Sequence, residues 1–163
     1  MTSETGTTPA TADPQRPAGI DPRGPRFTAA ITSVLLLVVV VLGVSGLALA
    51  AWVLLAAITA VFGWSAVAGV SKHPFGAIFR RFVRPRLAPP AELEDPRPPT
   101  FAQGVGFAVT SVGVVLGAFG LAVAVPIAAG FAFVAAFLNA AFGYCLGCQI
   151  YLLLVRARVI RTA

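Results

Sequence analysis

Two long blocks of this chain carry no Asp, Glu, Lys or Arg, and they alternate with short charged segments. The blocks cover residues 27–71 and 98–155. A transmembrane helix needs about 20 mostly apolar residues, so each block is too long for one span and has the length of two. Turn signals divide them, at Gly43 to Gly46 in the first and at Gly120 to Pro126 in the second. The pattern predicts four spans near 27–44, 47–69, 101–120 and 125–146.

Charge placement adds an orientation to this pattern. All 12 Lys and Arg residues lie outside the two blocks, and the two predicted opposite turns carry none. Because Lys and Arg mark the cytoplasmic side of short loops, we expect a multi-pass protein of the cytoplasmic (inner) cell membrane with both termini in the cytoplasm. The apolar run before Ala48 is longer than a signal-peptide core, so we expect an uncleaved first span.

Composition agrees with a membrane location. The chain is 58% hydrophobic and 11% charged, whereas soluble domains carry about 25% charged residues. The net charge of +6 comes from bases that flank spans, so we expect lipid bilayer contact and no nucleic acid. The predicted fold class is all-α, an integral membrane bundle of four transmembrane helices with one interfacial amphipathic helix between the second and third.

Three units follow along the chain. Residues 1–26 are rich in Thr, Pro, Ala and Gly and predict a disordered cytoplasmic tail. Residues 27–156 form the four-helix membrane domain with a cytoplasmic loop at 71–100, and residues 157–163 form a basic C-terminal tail.

The middle loop contains an amphipathic segment, His73 to Arg86. Its apolar residues recur at helical spacing, and its arginines lie opposite: Phe75, Ile78, Phe79, Phe82 and Val83 against Arg80, Arg81 and Arg84. We expect a helix that begins at Pro74, ends before Pro85, and lies in the membrane interface with its arginines on anionic lipid head groups. The alternative is that its phenylalanine face caps the bundle.

Other polar residues of this loop suggest less. His73 is expected to be an interfacial residue. Glu92, Glu94 and Asp95 are expected to be solvated partners of nearby arginines rather than a metal site. The sequence predicts no cofactor.

Small residues predict where the spans pack. Gly113 and Gly117 are four apart in the third span, and Ala128, Ala132, Ala136 and Ala140 recur at the same interval in the fourth. Such spacing lets helix backbones approach closely, which favours packing inside the bundle over a homodimer interface, although a homodimer stays possible. Asn139 is the one strongly polar residue deep in a span. We expect it to hydrogen-bond a neighbouring helix, with a functional role as the alternative.

The two cysteines, Cys145 and Cys148, form a C-x-x-C pair that is the main candidate for chemistry. Covalent haem attachment needs a following His, and iron–sulfur or structural zinc sites need about four ligands, which one chain does not offer. Residues three apart on a helix lie about 5 Å apart at Cα, within disulfide range.

The position of the pair sets its expected reactivity. We expect it near the C-terminal end of the fourth helix, at the inner membrane boundary and on a different face from Asn139. The helix dipole there disfavours a thiolate, so activation would have to come from Arg80, Arg81, Arg84, Arg156 or Arg158. Alternatively, both thiols simply pack in the bilayer.

Four stretches resemble the family called domain of unknown function 4395, small membrane proteins common in actinobacteria: "IDPRGPRF" (20–27), "PFGAIFRRFVRPRL" (74–87), "PPAELEDPRPPTFAQ" (89–103) and "FLNAAFGYCLGC" (137–148). The resemblance covers about residues 20–156. It implies a four-helix membrane protein with a C-x-x-C segment and brings no established activity. Members are often encoded near thioredoxin-like and sulfurtransferase proteins, which implies such a partner.

The leading functional hypothesis is thiol or sulfur redox exchange with a cytosolic partner through Cys145 and Cys148. The alternative is a non-catalytic membrane scaffold or subunit with structural cysteines. A permeation path for a small sulfur compound is disfavoured, because the spans offer few polar lining residues.

Overall fold

Six α-helices organise the part of the chain that the computed structural model describes, residues 19–159. They are α1 (Arg23–Val44), α2 (Ala48–Ala68), α3 (Pro74–Ile78), α4 (Arg97–Ala118), α5 (Ala124–Phe142) and α6 (Leu146–Arg156). Across those residues the only β pairing is an isolated antiparallel bridge between Ile20 and Glu94. The predicted all-α class is confirmed.

Four of these helices, α1, α2, α4 and α5, are long and apolar enough to cross a membrane, as predicted. They pack in a ring in which α1 contacts α2 and α5, and α4 contacts the same two helices from the other side. Large apolar side chains point outward; Val67 is 91% and Phe119 86% exposed. A surface of this kind is costly in water and suits lipid, so the fold is that of a multi-pass membrane protein.

Close backbone contacts hold the ring together where small residues were predicted to pack. A Cβ on Gly113 would lie 2.5 Å from Cβ of Ala128, and one on Gly117 would lie 2.7 Å from Val125. Both positions require glycine because α4 and α5 touch there. Packing within the bundle, the favoured alternative, is what the structure contains.

One end of the bundle collects the basic residues, and we call it the basic end. It holds the start of α1, the end of α2, the start of α4, the end of α5 and the segment between α2 and α4. At this end Ile20 exchanges two 2.9 Å backbone hydrogen bonds with Glu94, and α1 begins at Arg23. Helix α1 therefore begins at Arg23, inside the segment predicted as a tail; residues 1–18 lie outside the described part, and the tail itself stays a prediction.

An ion pair fixes the entry to α1. The Arg23 guanidinium donates to both oxygens of Asp21, at 2.9 and 2.8 Å, and also to the Ala88 carbonyl at 2.9 Å. The hydrogen bond from Arg23 is the main reason that the pKa of Asp21 lies below its ordinary value. The pair ties the start of α1 to the middle loop.

The amphipathic segment is helical from Pro74 to Arg86 but not uniformly α-helical. A π-helical turn (Phe79–Val83) and a 3₁₀ turn (Arg84–Arg86) follow α3, so Pro85 lies inside the last turn instead of ending the helix before it. Phe79 is buried against Phe27 of α1, with ring centroids 5.7 Å apart. Ile78 and Phe82 stay exposed. The apolar face is thus divided between the bundle and its surroundings.

Candidate functional site

The cysteine pair lies at the start of a helix, not at the end of one. Cys145 has an extended backbone (φ −87°, ψ 101°) and is the N-cap of α6, and its Sγ accepts a hydrogen bond from the Cys148 backbone N–H at 3.3 Å. The two cysteines form a disulfide with Cα atoms 5.2 Å apart. The prediction that the pair lies near the C-terminal end of the fourth helix was wrong.

Gly143 is the physical reason. It adopts a left-handed conformation (φ 69°) directly after Phe142, the last residue of α5. Glycine reaches this region without the cost that a Cβ would impose, so α5 ends there and α6 begins three residues later. The apolar run that follows Cys148 belongs to α6, which is too short to span a bilayer.

A second glycine seats α6 on the bundle. A Cβ on Gly147 would lie 2.5 Å from Cβ and 2.6 Å from Cα of Ala102 in α4. Four residues later, the Tyr151 ring lies 5.6 Å from the Phe101 ring. The glycine between the cysteines therefore lets α6 lie directly against the first turns of α4.

Electrostatics at this position favour a thiolate on reduced Cys145. The backbone N–H groups at a helix N-terminus carry partial positive charge, and one of them already points at the Cys145 sulfur. Arg26 of α1 adds a full charge nearby: its guanidinium donates to the Ala140 carbonyl at 3.5 Å and lies 3.7 Å from where a Gly143 Cβ would be. Sequence reasoning named five other arginines for this role and missed Arg26.

Asn139 and Cys145 line one cavity, although the sequence predicted different faces. The cavity has a volume of about 220 Å³ and lies between α1, α2, α4, α5 and α6 at the basic end. Asn139 is half-buried, and its side chain makes no hydrogen bond to any residue in 19–159. The break at Gly143 redirects the chain and brings Cys145 back over the bundle.

A second cavity of about 350 Å³ lies beside the first and opens among charged groups. Its wall includes Asp21, Arg80 and Arg84, and it shares Pro25 and Thr28 with the 220 Å³ cavity. The third arginine of the predicted membrane-facing set, Arg81, is exposed, with its guanidinium 5.8 Å from the Phe82 ring centroid. Arg80 and Arg84 therefore border this cavity, and all three arginines are exposed.

His73 is buried, contrary to the prediction of an interfacial position. It is 1% exposed, and its Nδ1 caps α3 by accepting the Phe75 N–H at 3.2 Å. Burial lowers the pKa of His73 to about 4. It is a neutral structural residue that holds the amphipathic segment on the bundle.

The acidic residues of the middle loop act on the backbone. Asp95 accepts the Arg97 N–H at 2.8 Å and so precedes the start of α4, and Glu94 provides the backbone bridge to Ile20. Within residues 19–159, no three His, Cys, Asp or Glu side chains come together in a way that could hold a metal ion.

Comparison with known proteins identifies a family without an assigned activity. The family model described as domain of unknown function (DUF4395) matches residues 20–156. No curated protein and no solved structure shows a significant match to the chain. Because the match covers most of the chain, the protein belongs to the DUF4395 family.

Proposed function

We propose that this member of the DUF4395 family exchanges thiol or sulfur redox equivalents with a cytosolic protein through Cys145 and Cys148. The observation that carries the proposal is the position of the pair at the N-terminus of α6, with the Cys148 N–H on the Cys145 sulfur. Packing alone does not require the cysteine to lie at a helix N-terminus, whereas stabilisation of a thiolate does benefit from that position.

The positions of Cys145 and Cys148 assign a different role to each cysteine in the exchange. When the pair is reduced, the Cys145 thiolate attacks a partner disulfide, or a sulfane sulfur, and forms a mixed disulfide or persulfide. The Cys148 thiolate then attacks the Cys145 sulfur and regenerates the Cys145–Cys148 bond. In the mixed disulfide the leaving group is the partner's second thiolate; in the persulfide it is hydrosulfide, because the sulfur donor's thiolate left in the first step. Two electrons pass to the partner disulfide or to the sulfane sulfur, and the Cys148 proton goes to a leaving group or to water. The reverse sequence oxidises a partner dithiol.

The proposed orientation places the basic end in the cytoplasm, which brings the pair within reach of cytosolic proteins. The bases at the start of α1 and between α2 and α4 support it, because basic residues are retained on that side. A thioredoxin-like or sulfurtransferase partner is the expectation that the family resemblance supplies. Arg80, Arg81 and Arg84 would meet anionic head groups at the same surface.

Single-cysteine variants test the proposal. In lipid nanodiscs, Cys148→Ser leaves only Cys145, and Cys145→Ser leaves only Cys148. We expect Cys148→Ser to form a mixed disulfide with oxidised glutathione at pH 7 at least about tenfold faster than Cys145→Ser, because only Cys145 has the N-cap position.

The scaffold alternative makes a different prediction. If both variants react equally slowly in nanodiscs and react fast only after denaturation, the cysteines are structural and the proposed exchange is refuted. A thioredoxin whose resolving cysteine is replaced serves as the protein-sized probe in the same assay. It should be trapped on Cys145 and not on the double Cys145→Ser/Cys148→Ser variant.

A further inference from the structure

The 220 Å³ cavity extends from Cys145 at the basic end to Phe131 on the lipid-facing side of the bundle. Cys145, Leu146 and Gly147 line it at the basic end. Phe131, about three turns before the last residue of α5, Phe142, lines it as well and is 71% exposed on the outside of the bundle. A molecule dissolved in the bilayer could therefore reach the sulfur of Cys145 without leaving the membrane.

Two threonines in the wall of this cavity lack the hydrogen bond that buried helical threonines usually make. Thr59 and Thr110 each donate to the carbonyl four residues earlier, at 2.8 Å. Thr28 and Thr32 are 4% and 5% exposed and line the cavity, but within residues 19–159 neither hydroxyl has a partner. Neither oxygen is fully buried, since the buried side-chain atoms without a partner in the described part are Ser65 Oγ and Gln103 Oε1; both hydroxyls are therefore accessible and free to donate to a molecule in the cavity.

The opposite wall presents an acceptor. Oε1 of Gln103 is buried and has no hydrogen-bond partner among the described residues, and Gln103 lines the cavity together with Asn139. Gln103, Asn139 and Thr28 all lie within about two turns of the basic ends of their helices. The cavity thus offers donors and an acceptor at the end where Cys145 lies.

The rest of the wall selects a neutral, ring-sized molecule. Among residues 19–159, no Lys, Arg, Asp or Glu lines the cavity, and most of the lining residues are apolar. An anion would therefore lose its hydration without gaining a counter-charge from them. A dry apolar cavity of about 150 Å³ in another protein holds benzene. A volume of about 220 Å³ therefore suits one substituted ring, with any long tail left in the lipid.

We propose that this cavity binds the ring of a membrane quinone, which oxidises the reduced Cys145–Cys148 pair. The proposal rests on the proposed function, since it assigns the oxidant of that same pair. A quinone is an apolar ring with two carbonyl acceptors, which match the unpartnered threonine hydroxyls. Its reduced form carries hydroxyl donors, for which Gln103 Oε1 is an acceptor, so both states of the molecule find partners.

The reaction balances with one proton from water. The Cys145 thiolate and the Cys148 thiol lose two electrons and the Cys148 proton as the sulfur–sulfur bond forms. The quinone gains two electrons and two protons, one from Cys148 and one from water, and becomes the hydroquinone. The 350 Å³ cavity among Arg80, Arg84 and Asp21 has Thr28 as a lining residue in common with this cavity, so we expect the water to come from that side.

The test uses the full chain in nanodiscs, reduced and freed of reductant, with 2,3-dimethyl-1,4-naphthoquinone as the probe. Both ring positions that thiols add to are substituted in this quinone, so it can oxidise the cysteines but not alkylate them. Under anaerobic conditions we expect one hydroquinone to form, and two free thiols to disappear, per protein. The Cys145→Ser/Cys148→Ser protein should give neither.

A matched pair of double variants locates the reaction. Thr28→Val/Thr32→Val removes the two unpartnered hydroxyls, and we expect quinone reduction to slow by about tenfold or more. Thr59→Val/Thr110→Val removes two buried hydroxyls outside the cavity and should leave the rate unchanged. Glutathione exchange at Cys145 should be the same in both double variants, which excludes misfolding as the cause.

Three results would overturn the inference. If glutathione exchange is normal but the quinone leaves the pair reduced, the quinone site fails while the proposed function stands. If Thr28→Val/Thr32→Val reduces the quinone at the wild-type rate, the cavity holds water only and oxidation occurs elsewhere. If neither the quinone nor glutathione reacts, the proposed function itself fails.

Discussion

Replacing Gly147 by alanine should loosen α6 while leaving the four spans in place. The added Cβ would lie 2.5 Å from Cβ and 2.6 Å from Cα of Ala102. Because one of those atoms is backbone, no side-chain rotation relieves the overlap. Restoring ordinary contact distances requires α6 to move away from α4 by about 1 Å, the difference between such contacts and the distances above.

The size of the effect follows from overpacking. Forcing one extra carbon into a packed contact costs about 1–3 kcal/mol. Since α6 packs mainly on α4, detachment of α6 releases this strain without unfolding the ring. The opening equilibrium of α6 should shift by the same free energy, so its amides should exchange with solvent deuterium about 5- to 150-fold faster.

Hydrogen exchange read by mass spectrometry measures this directly. Peptides that cover residues 146–156 should exchange faster in Gly147→Ala, and peptides from α1 and α2 should not change. Gly130→Ala is the matched control, because no atom lies within 4 Å of the Cβ it would add in α5. Equal protection of residues 146–156 in wild type and Gly147→Ala would refute the placement of α6 against Ala102.

Three further predictions concern charge. The pKa of His73 is about 4 in the folded protein and 6.5 ordinarily. Between these pH values only the unfolded chain binds the proton, so the free energy of unfolding should fall by up to about 3 kcal/mol as pH drops from 6.5 to 4. His73→Asn, whose side chain can still cap Phe75, should remove that fall, and an unchanged pH dependence would show that His73 is not its source. Arg26→Gln should slow disulfide exchange at Cys145 several-fold. Arg26→Lys, which keeps the charge, and the control Arg86→Gln should both exchange at close to the wild-type rate. Equal rates in all three variants would contradict a role for the Arg26 charge. A reporter active only outside the cytoplasm should give signal when fused after residue 45 but not after residue 88 or at the C-terminus, and signal at the C-terminus would overturn the proposed orientation.

The sequence contained enough to predict the four spans, because membrane insertion depends on properties that are local and additive. The length of a charge-free block and the glycines that divide it determine where single helices begin and end. The spacing of Gly113 and Gly117 determines the contact of one pair of helices. Packing of α4 on α5 followed from that spacing.

The candidate site was predicted in composition but not in geometry. Cys145 and Cys148 were identified, but they were placed at the C-terminal end of the fourth span instead of the N-terminus of α6. The reason is that "QIYLLLV" continues the apolar run, so the end of α5 is not visible in the hydrophobic pattern. Gly143 was the signal that could have corrected this, as glycine often follows the last residue of a helix. The cavity shared by Asn139, Gln103 and Cys145 arises from four chain reversals and is not visible in any local pattern.

The contacts of charged and titratable groups at the basic end were likewise beyond local reasoning. Arg26 reaches α5 across a separation of 114 residues, and His73 is covered because the amphipathic segment folds back onto α1 and α2. Both positions depend on which helices become neighbours in the ring. A pattern read one helix at a time could place them only at an interface.

The measurement that tests the central claim most directly is labelling of the reduced pair with a charged, membrane-impermeant maleimide in vesicles of both orientations. In inside-out vesicles we predict labelling of Cys145, and mild oxidation should block it reversibly through the Cys145–Cys148 bond. Right-side-out vesicles should stay unlabelled until they are permeabilised. If the reduced pair fails to label in inside-out vesicles while the detergent-denatured protein labels twice, the cysteines are structural and exchange with a cytosolic partner is contradicted.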